Sequence, residues 1–287
     1  MFFFIVSCEK EVSFNLPKDI TDKVVVDGSI ELNQPPFVLL TKSFGFFAKI
    51  DSNMLQNTFL NGAQIFVSDG TRTIQLKEYS IDTIGNKFSF YTVDTSRPAD
   101  LTFIGQVGPV YQLKIIYNGV TFEAKTTIPK PVAFDSLWSE PFPTSNPEHP
   151  EYRRIAASYT DPPELGNRYR YFISTNNSPF VAPSFSTIDD EVINGNNVTM
   201  NFYNVSSATD TATGIERFAF LPGDSVVIKL SAIDKGSFVF WETLEFSVGS
   251  TGNPFSTPLK VPSNISNGAL GVWTGYGSTF NKVYIKE

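Results

Sequence analysis

The sequence is poor in the residues that most enzymes rely on. It holds one cysteine and one histidine. A structural zinc centre draws four ligands mainly from those two types, so it is excluded. His149 sits between Glu148 and Pro150 in a proline-rich stretch, with no nearby nucleophile or orienting carboxylate, and reads as a surface residue. No Gly-x-Ser-x-Gly, P-loop or His-Glu-x-x-His pattern occurs. Charged residues are scarce at 18%, and acidic side chains outnumber basic ones by 29 to 22, a net charge of −7. No basic stripe is present, so a nucleic-acid partner is not expected. No stretch reaches the ~20 apolar residues that a membrane-spanning helix needs.

What the chain does have is phenylalanine, 27 of 287 residues, together with 19 glycines, 19 prolines and a hydrophobic fraction of 41%. Aromatic and β-branched residues between turn formers favour sheets, and the apolar material suffices for a core. Short alternating runs recur: Val24-Val25-Val26, Phe37-Val38-Leu39-Leu40, Gln64 to Val67, Thr73 to Leu76, Leu113 to Tyr117 and Val120 to Ala124. Asp27-Gly28, Asp69-Gly70 and Asn118-Gly119 follow such runs and predict tight turns, because both central residues tolerate positive φ. This spacing predicts an immunoglobulin-like β-sandwich over residues 23–128. Ile128-Pro129-Lys130-Pro131 predicts an extended linker. A C-terminal β-rich domain is expected over 129–287, with strands at Tyr169 to Ile173, Val198 to Phe202 and Val226 to Leu230. It should carry one short helix, capped by Asp234, whose Phe238, Trp241, Leu244 and Val248 form a core stripe. The expected class is all-β.

The opening Met1-Phe2-Phe3-Phe4-Ile5-Val6 is apolar, and Ser7 then precedes the single cysteine, Cys8. Residues 1–7 read as the remainder of a signal peptide whose start lies upstream. Ile5-Val6-Ser7-Cys8 resembles a bacterial lipobox, in which the cysteine is acylated and becomes the mature N-terminus. Several acyl chains anchor stably where one holds weakly. Residues 8–22 would then be a lipidated tether, and Glu9-Lys10-Glu11 looks like the charged signal that sends some Bacteroidota lipoproteins to the cell surface.

Other candidates are weaker. Phe44, Phe46 and Phe47 crowd around Gly45, either as a buried corner or as an exposed aromatic tip that meets a partner. Trp273 and Tyr276 lie in a glycine-rich stretch and either pack in the closing strands or line a ligand platform. Asp189 and Asp190, with asparagines close by, offer oxygen ligands of the kind Ca²⁺ prefers, although without EF-hand spacing, and a solvated loop is the competing reading. Asp82-Thr83-Ile84 and Asp210-Thr211-Ala212 resemble O-glycosylation acceptors of exported Bacteroidota proteins, which makes Thr83 and Thr211 candidates. No catalytic residue, cofactor or firm metal site is expected.

Several segments together carry a wider resemblance: Cys8-Glu9-Lys10, Val24 to Gly28, Pro35 to Thr41, Ala124 to Pro129, Asp161-Pro162, Pro254-Phe255-Ser256, and above all Pro262-Ser263-Asn264-Ile265 with Asn267-Gly268-Ala269-Leu270-Gly271. Over nearly its whole length the chain resembles the Bacteroidota lipoproteins classed as domain of unknown function 4249. The resemblance implies a protein of the outer membrane, anchored by its N-terminal lipid and facing the cell surface. It also implies an accessory or ligand-capture role beside a TonB-dependent transporter. An adhesin or envelope-structural module, and a carboxylate-dependent hydrolase of glycans or peptides, remain open beside it.

Overall fold

The computed structural model describes residues 23–44, 58–83, 86–143, 149–205, 216–251 and 259–286. Among the described residues the protein is mostly β, with one α-helix near the C-terminus, as the alternating runs predict. The strands are β1 (Val24–Glu31), β2 (Phe37–Lys42), β3 (Gln64–Ser68), β4 (Thr73–Thr83), β5 (Asn86–Thr92), β6 (Val110–Tyr117) and β7 (Val120–Thr127) in the first part of the chain. They continue as β8 (Ser136–Pro141), β9 (Arg153–Thr160), β10 (Arg168–Thr175), β11 (Thr187–Asp189), β12 (Asn197–Phe202), β13 (Ser225–Ala232) and the long β14 (Leu270–Tyr284). Helix α1 spans Lys235–Gly249. Eleven strands are hydrogen-bonded in the order β11-β10-β13-β14-β1-β2-β5-β4-β3-β6-β7, and three more in the order β12-β9-β8.

The turn chemistry explains the hairpins. Asn118 and Gly119 both take positive φ between β6 and β7, as a two-residue turn matched to strand twist requires. Asp69 Oδ1 accepts from the backbone N–H of Thr71 and of Arg72 and closes the β3–β4 loop. Asp27-Gly28 is different. It lies inside β1 and makes no turn. A Cβ at Gly28 would come within 2.8 Å of the Trp273 ring, so this glycine makes room for a core side chain.

The large sheet folds back on itself. β2 and β5 share just two residue pairs, Phe37 with Thr92 and Val38 with Tyr91. At its far end β7 returns to lie on β14. Gly275 N–H donates to Thr126 Oγ1 at 2.8 Å, and a Cβ at position 275 would sit 2.1 Å from the Thr127 carbonyl oxygen. A glycine is required where backbones approach this closely. The enclosed core takes alternate residues of β1 to β7, for example Val26, Ile30, Val38, Leu40, Ile65, Leu113 and Phe122. It also takes Ile265, Ala269 and Trp273 from the end of the chain. Ser263 to Gly271 is the scaffold of that arrangement. Asn264 brackets Trp273, its Oδ1 accepting from the Trp273 N–H and its Nδ2 donating to the Trp273 carbonyl. Ser266 N–H donates to the Glu123 carbonyl and Asn267 Nδ2 to the Thr121 carbonyl, which covers the outer edge of β7.

A second core lies between the three-stranded sheet and one face of β10 and β13. Val226, Ile228, Leu230 and Ala232 of β13 meet Ile155, Ala157 and Tyr159 of β9, with Phe134, Phe202 and Phe220. α1 covers the opposite face of β10 and β14. Asp234 caps it by accepting from Ser237 N–H at 2.8 Å. Glu245 accepts from Ser186 N–H and faces Arg170 Nε at 3.6 Å. The Arg170 guanidinium in turn stacks on Trp241 at 3.5 Å. Phe238 is buried and Trp241 and Leu244 are half-buried, but Val248 is 65% exposed, so the expected stripe stops short of the last turn. No helix among the described residues is long and apolar enough to cross a membrane.

Candidate functional site

Four sequence candidates, Cys8, Phe46, Phe47 and Thr211, lie outside the described residues. Phe44 is half-buried just beyond β2, and Thr83 is the last residue of β4. The ligand-platform reading of Trp273 and Tyr276 does not hold. Trp273 is 0% exposed and its Nε1 donates to the Tyr111 carbonyl at 3.1 Å. Tyr276 is buried against α1, its hydroxyl accepting from Arg170 Nη1 at 3.2 Å. The Ca²⁺ reading fails at Asp190. Its carboxylate is buried and accepts from the backbone N–H groups of Gly166 and Asn167 and from Asn167 Nδ2, at 2.8–3.1 Å. Those donors occupy the oxygens that a cation would need. Among the described residues no group of three or more His, Cys, Asp or Glu is placed to hold a metal. His149 stacks on Tyr152 at 4.6 Å and bonds Glu151, a local arrangement.

The structure instead assembles a recess that the sequence did not announce, with a volume of about 860 Å³. It opens at one end of the second core. Phe142 follows β8, Tyr171 belongs to β10, and Tyr203, Asn204 and Val205 follow β12. Pro183, Ser184 and Phe185 come from the loop before β11, and Arg217 and Phe218 from a 3₁₀ turn. Five aromatic rings thus converge from five separate segments. Phe142 and Tyr203 meet edge to face with centroids 5.6 Å apart, and Tyr171 packs against Phe202 in the same way at 5.0 Å. Phe185 is 68% exposed and forms the rim.

The polar groups of the recess divide into fixed and free. The Asn204 side chain accepts from Thr175 Oγ1 and donates to the Ala219 carbonyl, so it pins the loop rather than awaiting a ligand. The Tyr203 hydroxyl accepts from Arg154 Nη1 at 3.4 Å. The Tyr171 hydroxyl is pushed up to about 12 by burial, with the Glu245 charge adding to the effect, and so stays a proton donor at neutral pH. Arg217 lays its guanidinium over the Phe218 ring, 4.5 Å from the centroid. Among the described residues the lining includes no carboxylate, histidine or cysteine. Aromatic walls with a few polar groups are the usual make-up of a small-molecule site. Apart from Tyr171, in the predicted strand Tyr169 to Ile173, these residues lie in loops and turns with no strand or helix period, and the one local sign is an aromatic inside a Pro-Ser loop at Pro183-Ser184-Phe185.

A family model described as Domain of unknown function (DUF4249) matches residues 9–281. No curated protein matches the chain.

Proposed function

Because the chain belongs to the DUF4249 family, we propose that it is a non-catalytic, lipid-anchored protein of the outer membrane that captures a ligand at the cell surface beside a TonB-dependent transporter. The observation that carries the capture role is the aromatic recess, whose volume of about 860 Å³ falls in the range of small-molecule sites. The anchor rests on Cys8 after Ile5-Val6-Ser7. Replacing the thiol removes the acceptor of the acyl chains, on which the hold on the outer membrane depends. Cys8→Ala should therefore abolish labelling by a fatty-acid probe and release the protein from the outer-membrane fraction, while leaving its circular dichroism unchanged. Retention of label and membrane by the variant would refute the anchor. The transporter role is tested by co-purification from solubilised outer membranes; recovery without a TonB-dependent partner would refute it.

A further inference from the structure

We infer that the recess takes a ligand with a flat apolar body and a single acidic group; this rests on reading the recess as a capture site. The walls supply the first half of that specificity. Phe142, Tyr171, Phe185, Tyr203 and Phe218 offer ring faces and edges to a planar apolar surface. Arg217 supplies the second. Its guanidinium is held over the Phe218 ring, 4.5 Å from the centroid, and its fork of N–H donors has no protein acceptor among the described residues.

Among the described residues nothing uses the N–H edge of that fork. Arg72, Arg97, Arg154 and Arg170 each have a carboxylate partner, and Arg153 and Arg168 donate to backbone carbonyls. Arg217 has neither kind of partner among the described residues. Glu140, which bonds the same Arg154 that reaches Tyr203, and Glu245, whose charge Tyr171 feels, are both paired with arginines. Among the described residues the charge left uncompensated in the recess is therefore positive, although the protein as a whole is acidic. A planar fork of N–H donors suits a carboxylate, which it grips with two parallel bonds.

A hydroxyl-rich sugar is a poorer fit. With the Asn204 side chain engaged at both ends, the polar side chains of the described lining left to a ligand are Ser184, Tyr171, the Tyr203 O–H and Arg217. A trisaccharide would lose hydration at many hydroxyls and regain few partners, which costs affinity. An apolar carboxylate desolvates one polar group and finds its partner in place.

Isothermal titration calorimetry of the full chain with 2-naphthoate, 2-naphthamide and maltotriose tests this. Naphthoate should bind one to one, and naphthamide about tenfold more weakly, the scale of one charge-assisted hydrogen bond. Arg217→Gln should abolish that difference, and Arg217→Lys should restore part of it. Phe185→Ala should weaken both naphthalenes alike. Both side chains are exposed, so the variants should unfold with the wild type in urea. Equal binding of naphthoate and naphthamide, or tighter binding of maltotriose, would overturn the acidic-ligand inference and leave the capture role standing. Binding of none of the three would overturn both.

Discussion

Two residues show how much a single side chain carries here. Trp273 is buried among β-strand residues distant in sequence, and its one polar atom is satisfied by Tyr111. Trp273→Ala leaves a ring-sized hole and an unpaired carbonyl, and should cost about 3–5 kcal/mol in urea denaturation. Trp273→Phe should cost less. Asp94 contributes to the acid behaviour. Its carboxyl accepts from the Ser96 hydroxyl and backbone N–H at 2.7 and 3.0 Å, with Lys77 at 3.1 Å, and these hold it at about 2 against an ordinary 3.8. The folded value is the lower one. The stabilisation is therefore complete above the unfolded value near 4, and it is lost as pH falls from there through about 2. The stability gap between wild type and Asp94→Asn should be constant from neutral pH to about 4 and close by about 2. A gap that widened on acidification would contradict this. The role of Asp94 is not visible in the sequence. For Trp273, packing in the closing strands is the stronger of the two sequence readings and holds, and the glycines around it serve close strand crossing.

At the level of elements, the legible parts were those specified locally. The Asn118-Gly119 hairpin, the strand of Val226 to Leu230 and the Asp234 cap each depend on residues within a few positions. What depends on distant partners was not legible. Asp27-Gly28 reads as a turn, but its strand is fixed by parallel pairing of β1 with β14, more than two hundred residues away. The recess was hidden for the same reason, since its rings meet only after five segments have folded. The Ser263 to Gly271 block, the most specific part of the resemblance, is a structural device that brackets Trp273 and covers an edge. Asp234 combines both kinds of bond. Besides capping α1, its Oδ2 accepts from Thr126 Oγ1 at 2.5 Å and from Thr127 N–H at 3.2 Å, tying the helix to β7. Loss of a cap alone costs about 1 kcal/mol. Asp234→Ala should exceed that, reaching about 2–3 kcal/mol because two further acceptor contacts go with it. Ser237→Ala, which keeps the backbone donor, should cost distinctly less. Equal losses in the two variants would show that the contacts to β7 contribute nothing.

For the whole molecule the decisive element is β14. Its first half carries Trp273 into the core of β1 to β7. Its second half pairs with β13 along Ser225 to Ala232, and the strand is followed at once by Ile285, which sits in the other core. Between them, at Gly275 and Gly277, the strand passes so close to Thr127 and Pro129 that no side chain fits. A division of the sequence near residue 128 assigns β14 to the second part, yet the first core is incomplete without it. The two cores should therefore unfold together. With Trp138 and Trp241 replaced by phenylalanine, Trp273 fluorescence reports the first core, while far-ultraviolet circular dichroism reports both. The two urea transitions should coincide within error, as a cooperative two-state unit requires. If the fluorescence changed at a separate midpoint, each core would be self-sufficient, and β14 would be a shared boundary rather than the member on which both depend.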